Sequence, residues 1–164
     1  MGRFKVILRT STAMRTNNTM WQKGRLFLEA TAWLTLMRIA ISLAPFHRLR
    51  PMLGLATGEN AFGPLKEGAE SIGWAVRASA HRLPWHSTCL CRALAAAMML
   101  RRIGLAGTLH LGVGKDLEGA LSFHAWLRCN DVIVTGDEGR ERHISMSTFR
   151  TRIFPNERNR LRQD

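Results

Sequence analysis

Cys89, His124 and Asp137 are the residues of this chain whose types, order and setting could carry covalent chemistry. A cysteine nucleophile needs an imidazole within hydrogen-bond reach to take its proton, and a third group to hold that imidazole. Cys89 follows Ser87-Thr88 and opens the Ala- and Leu-rich run that ends at Ile103. Ser or Thr before such a run marks a helix start, where unpaired N–H groups and the helix dipole stabilise the negative charge of a nucleophilic sulfur. Cys91 lies two positions on, roughly opposite Cys89 around the axis, and is expected to face the core; Cys129 is likewise read as a buried thiol. His124 opens His-Ala-Trp-Leu and is flanked by Phe123 and Trp126, so a packed edge histidine is the plain alternative to a catalytic base. Asp137 follows the apolar run Val132 to Thr135, and an antiparallel neighbour could bring it beside His124. Asp131, placed in a turn and pointing to solvent, is the weaker candidate acid.

The elements that must position these residues are readable in outline. From Trp21 to Ala44, the residues Trp21, Leu28, Leu36, Ile39 and Leu43 recur at spacings that suit one helix face, and Pro45 ends that helix. Phe46 to Pro64 holds three Gly and two further Pro and reads as a connection with at most short helical turns. A second helix is predicted from Leu65 to His81, with Ile72 and Val76 inward and Trp74 nearby, broken by Pro84 and Trp85. The helix from Cys89 has high intrinsic propensity, Arg101 and Arg102 at its negative end, and Gly104 as its C-terminal cap. Thr108 to Val113, Phe123 to Arg128 and Val132 to Thr135 read as strands, with turns at Gly114 to Gly119 and Asn130-Asp131; one more strand is expected around Ile144 to Phe149. Helices followed by a run of strands predict an α+β domain with a small antiparallel sheet. The expected organisation is a polar, mobile N-terminus over residues 1–19, a helical region over 20–64, a catalytic core over 65–150 and a basic tail over 151–164.

Length and charge bound the function. The 164 residues suit one domain, and 46% hydrophobic residues suit a globular core. A net charge of +12 attracts polyanions such as nucleic acid, anionic lipid or an acidic peptide, although an Arg-rich exterior is also compatible with a plain soluble protein. Three cysteines with no secretory signal before them argue against a disulfide framework and point to the cytoplasm. Cys89-x-Cys91 has the wrong spacer for a zinc knuckle, so no metal is expected. Gly112-Val-Gly114 lacks the Lys-Ser/Thr pair of a phosphate-binding loop. Glu29 and Arg38 interrupt the apolar stretch Leu26 to Phe46, which therefore reads as an amphipathic helix on the protein or on a membrane surface rather than as a span.

Four separated blocks occur in an order that resembles the leader peptidases of lasso-peptide biosynthesis: Ser87-Thr-Cys-Leu-Cys-Arg-Ala-Leu-Ala, Leu100-Arg-Arg-Ile-Gly104, Leu109-His-Leu-Gly-Val113 and His124-Ala-Trp-Leu. The resemblance covers about Ile72 to Asp137, and Trp21 to Leu53 more loosely. It implies a transglutaminase/papain-like cysteine peptidase fold, with Cys89 as nucleophile and His124 as base. The family's acid falls near Thr135-Gly136-Asp137, about one position off, which leaves open whether Asp137, a water or a backbone carbonyl orients His124. Residues 1–70 are too short in strands for the fused winged-helix recognition domain of some members, so the stand-alone form is implied. Its expected partners are a precursor peptide, a separate small leader-recognition protein and an ATP-dependent macrolactam synthetase. ATP is expected at that synthetase and no cofactor on this chain. Peripheral association with the inner membrane face stays open, and no nucleic acid is expected, since no stacking platform or known nucleic-acid motif accompanies the charge. Two other readings remain: another amidase or acyltransferase of the same fold, and a non-enzymatic basic adaptor for nucleic acid or membrane.

Overall fold

The computed structural model describes residues 10–57 and 66–151. Expectations that fall on 1–9, 58–65 and 152–164, the basic C-terminal tail among them, lie outside the described residues. The chain runs through helix α1 (Thr10–Leu43), short helix α2 (Phe46–Met52), strand β1 (Leu55–Thr57), helices α3 (Lys66–Ala80) and α4 (Cys89–Arg102), and strands β2 (Thr108–Lys115), β3 (Leu121–Cys129), β4 (Val132–Thr135) and β5 (His143–Thr151). The five strands form one antiparallel sheet in the order β1-β5-β2-β3-β4. This is the α+β arrangement that helices followed by strands predict.

Helix α4 is the centre of the molecule. Cys91 and every residue from Ala93 to Leu100 are buried, because α1 and α3 cover it on one side and β3 and β4 on the other. A helix apolar on all sides can exist only inside such packing. Its alanines, Ala93 and Ala95 to Ala97, leave room for neighbours to approach closely. Its end is chemically determined: Gly104 takes φ 77°, its N–H reaches the Arg101 carbonyl at 3.1 Å, and the Leu105 N–H reaches the Leu100 carbonyl at 2.9 Å. That paired closure is the Schellman arrangement, and it favours glycine after the helix.

Helix α1 extends the predicted helix back to Thr10, and the structure decides which of its faces is covered. Trp21, Leu28, Leu36, Ile39 and Leu43 do share a face, but that face is exposed. The core face is carried by Ala30, Leu34 and Met37. Three polar contacts hold that side: the Ser79 hydroxyl donates to the Phe27 carbonyl at 3.0 Å, the Cys91 thiol donates to the Leu34 carbonyl at 3.4 Å, and Arg102 forks onto Glu29. Periodicity alone marks an apolar face without saying which of two apolar faces is covered.

The connection after Pro45 contains a strand that the sequence reading missed. Leu55–Thr57 pairs with β5 and forms one edge of the sheet. A three-residue strand offers too little alternation to detect. In α3, Ile72 and Val76 are buried and Trp74 is exposed at its rim. The Asn130-Asp131 turn is as expected, with Asn130 at φ 53° and Asp131 in solvent beside Arg128.

The two faces of α1 predict opposite responses to truncation. Leu34→Ala should cost about 2–5 kcal/mol, as filled core positions do. Leu36→Ala should stay within about 0.5 kcal/mol, as exposed positions do. Urea melts of the two variants check this; equal losses would mean that the exposed face is packed in solution.

Candidate active site

Cys89 is the first residue of α4. The preceding Thr88 is extended, with φ −67° and ψ 158°, and its hydroxyl accepts the Cys91 N–H at 3.2 Å. The cap stops the helix from running back through Thr88 and leaves the half-buried thiol at the positive end of the helix. The Arg92 Nε donates to the Ser87 hydroxyl at 2.8 Å, tying the approach segment to the first turn of the helix.

The cleft in front of Cys89 has a volume of about 480 Å³, within the roughly 300–1,000 Å³ of ordinary ligand pockets. Arg77 and His81 line it from the α3 side, Ser87, Cys89 and Arg92 from the start of α4, His124 from β3, and residues Ile133 and Thr135 to Glu138 from β4 and the turn beyond. All three residues singled out in the sequence therefore line one cleft. The α3 wall sits close to β4 because Gly73 allows it: a Cβ there would lie 2.5 Å from the Val134 carbonyl oxygen. One turn further on, Arg77 donates to that same carbonyl at 3.1 Å.

The imidazole of His124 is held by backbone. Its Nε2 lies 2.9 Å from the Gly136 carbonyl oxygen. A carbonyl can only accept, so Nε2 carries the hydrogen and the neutral ring keeps its lone pair on Nδ1. Tautomer and ring plane are thus set by a group that does not titrate. The Asp137 carboxylate is largely solvent-exposed and lies 3.6 Å from Arg140 Nε. Two further rings bracket the imidazole: Trp126 stacks at 6.1 Å between centroids, and His143 lies tilted at 5.1 Å. His143 is itself fixed, with Nδ1 2.7 Å from the Gly139 carbonyl and Nε2 2.9 Å from the Ser122 hydroxyl. By the same logic its Nδ1 donates to the carbonyl and its Nε2 accepts from Ser122.

Gly136 and His143 are the site residues that the sequence reading did not single out. Gly136 has φ 80°, and a Cβ there would stand 2.5 Å from the Ala125 carbonyl oxygen and 2.8 Å from Trp126 Cβ. Only glycine lets this turn press against β3 and deliver its carbonyl to His124. A Gly between a strand and an acid was the available signal. His143 carried none, because it arrives from β5, which pairs with β2 rather than with β4.

The three thiols differ in setting. Burial pushes the Cys91 thiol up against the opposing pull of Arg38 and Arg92, and burial likewise raises Cys129. Both acids are thereby held neutral, so little reactive thiolate forms at either near pH 7. Among the described residues no group of three or more His, Cys, Asp and Glu side chains could hold a metal ion.

Two expectations follow from this geometry. Iodoacetamide at pH 7–8 should alkylate Cys89 in the folded protein, while Cys91 and Cys129 react only on unfolding; peptide mapping of the labelled chain reads this directly. Nitrogen NMR of the imidazoles should show His124 protonated at Nε2 in its neutral form. Gly136→Ala should remove that preference while circular dichroism stays folded, and an unchanged tautomer would exclude the carbonyl as the orienting group.

Comparison with curated proteins and with solved structures returned no match. The chain does match the Transglutaminase-like superfamily over residues 31–148, a span that includes α2 and all four elements lining the cleft. Helices leading into a small antiparallel sheet, with a cysteine opening the central helix and a histidine on a strand facing the same cleft, agree with that match, and such domains fit a cysteine peptidase or acyltransferase-like role. This chain belongs to the transglutaminase-like superfamily.

Proposed function

We propose that the chain is a cysteine peptidase that removes the leader from a lasso-peptide precursor and frees the core N-terminus for ring closure. The observation that carries the reading is the pairing, across one cleft, of a thiol at a capped helix start with an imidazole whose Nε2 is already engaged. An imidazole so held has its Nδ1 lone pair available as base. The four sequence blocks that resemble the leader peptidases supply the substrate class. The proposed partners are the precursor peptide, a separate leader-recognition protein and an ATP-dependent macrolactam synthetase acting on the product. No cofactor is needed on this chain, because acyl transfer to sulfur and then to water requires only the nucleophile, a base and an oxyanion site.

The steps balance as follows. The Nδ1 of His124 takes the proton of Cys89, and the sulfur attacks the last leader carbonyl to form a tetrahedral oxyanion. The Cys89 N–H, one of the donors that a helix start cannot pair within itself, stabilises that charge. Collapse breaks the C–N bond, and the imidazolium returns its proton to the leaving amine of the core. Water then attacks the thioester, losing a proton to His124, and the leader departs as a carboxylic acid while Cys89 regains its hydrogen. Throughout, the Gly136 carbonyl stabilises the imidazolium by accepting from Nε2.

Cys89→Ala should abolish leader removal, and Cys91→Ala, which alters only a buried thiol, should largely retain it. Equal loss in two folded variants would remove the assignment. His124→Ala should cost about 10²–10⁴-fold in kcat, the usual contribution of a general base. Asp137→Asn should cost less, because the Gly136 carbonyl still orients the ring. If the Asp137 carboxylate acts through the imidazole, the double variant should be little worse than His124→Ala alone; multiplicative losses would take Asp137 out of the mechanism. If the precursor is instead amidated or transferred to an amine rather than hydrolysed, mass spectrometry of the leader product identifies the acyltransferase reading. Cleavage should also accelerate when the separate recognition protein is added. Full-rate cleavage by the chain alone would show that it binds the leader unaided.

A further inference from the structure

The exposed face of α1 and the net charge of +12 are unused by the catalytic site. Over Met20–Leu43 the helix is long and apolar enough to cross a membrane, about 36 Å at 1.5 Å per residue. Its packing argues for a different disposition. Ala30, Leu34 and Met37 are inserted into the core, and Ser79, Cys91 and Arg102 bind its inner side at Phe27, Leu34 and Glu29. A helix bound along one side to a folded domain cannot be surrounded by lipid, but its other side can lie on a bilayer.

That other side is continuous. Trp21, Leu28, Leu36, Ile39 and Leu43 fall within about 80° of one another at 100° per residue, and each is 50% or more exposed. An unpartnered apolar stripe of this length on a soluble domain marks a contact surface. The charge around it selects the partner. Arg25 is exposed on the side of the helix that carries the stripe, and Arg48 follows on α2. Glu29 is the single acid between Met20 and Leu43, and Arg102 already neutralises it. An apolar stripe that carries an exposed arginine and no free acid, on a chain of net charge +12, matches an anionic lipid surface, where apolar side chains enter the headgroup–acyl boundary and cations meet phosphate. A protein groove would have to present acids around an apolar channel of the same length.

We propose that this face of α1 seats the protein on an anionic membrane surface, with the helix lying in the interfacial plane and the catalytic domain above it. The proposal is independent of the reaction performed at Cys89.

The test is co-sedimentation of the full chain with vesicles of phosphatidylcholine alone or with about 30 mol% phosphatidylglycerol at physiological salt. Wild type should partition at least about tenfold more onto the anionic vesicles. Leu36→Gln/Ile39→Gln should lower that partitioning by about tenfold or more, because two apolar anchors are lost. Both positions are exposed, so the variant should keep its circular dichroism and its thermal midpoint. Anionic binding that is unchanged in this variant would assign the attraction to basic segments elsewhere and overturn the proposal. Absence of vesicle binding in wild type would overturn it too, as would a concentration-dependent dimer in light scattering that the variant abolishes. Vesicle binding weaker than binding of the same face to an added partner protein, with both lost in the variant, would reassign the surface to that protein.

Discussion

The burial of α4 from Ala93 to Leu100 is the constraint from which the rest of the structure follows. A helix whose flank from Cys91 to Leu100 is apolar and alanine-rich is stable only when every side is covered, so α1, α3 and the sheet must all close on it. Both ends of the helix reach solvent, and the end that Thr88 caps opens on the cleft. Cys89 is therefore accessible by position: the same helix that hides Cys91 in the core offers Cys89 to the cleft. Two residues of separation, about 200° around the axis, divide a buried thiol from one that lines the cleft.

The other half of the site depends on close approaches between backbones. Gly73 admits α3 to β4, and Gly136 admits the turn after β4 to β3. Neither glycine touches the sulfur or performs chemistry. Each removes a Cβ that would hold two elements apart, and the second thereby places a carbonyl on His124 Nε2. Orientation by a carbonyl differs in kind from orientation by a carboxylate: the dipole fixes the tautomer of the neutral ring but gives less stabilisation to an imidazolium. The rings of Trp126 and His143 on its two sides limit the remaining motion of the imidazole.

Helix α1 joins the two functional regions. Its inner side reaches Cys91 through the Leu34 carbonyl and braces α4, while its outer side exposes Trp21, Leu28, Leu36, Ile39 and Leu43. Anchoring and catalysis would thus share one rigid element, so that the cleft keeps a set orientation relative to any surface on which the helix rests. With the function proposed above, substrate and product would then stay near the surface that holds the enzyme.

The sequence by itself determined the local features whose causes are local. The start of α4 at Thr88, the capping glycine at Gly104, the separation of Cys89 from Cys91, the strands around His124 and Val132, and the α+β class all follow from caps, propensities and periods. So did the short list of chemical residues, with Cys89 and His124 first. Tertiary structure decided what depends on who stands opposite whom. It made the Trp21 to Leu43 face of α1 the outer one, since either apolar face satisfies the helical period and only contact with α3 and α4 selects between them. It paired Leu55–Thr57 with β5, brought His143 in from a strand adjacent to β2, and set the Gly136 carbonyl on the imidazole with Asp137 beside Arg140. Those contacts join residues with no shared periodicity, and backbone carbonyls leave no mark in a sequence beyond the glycine that lets them come close.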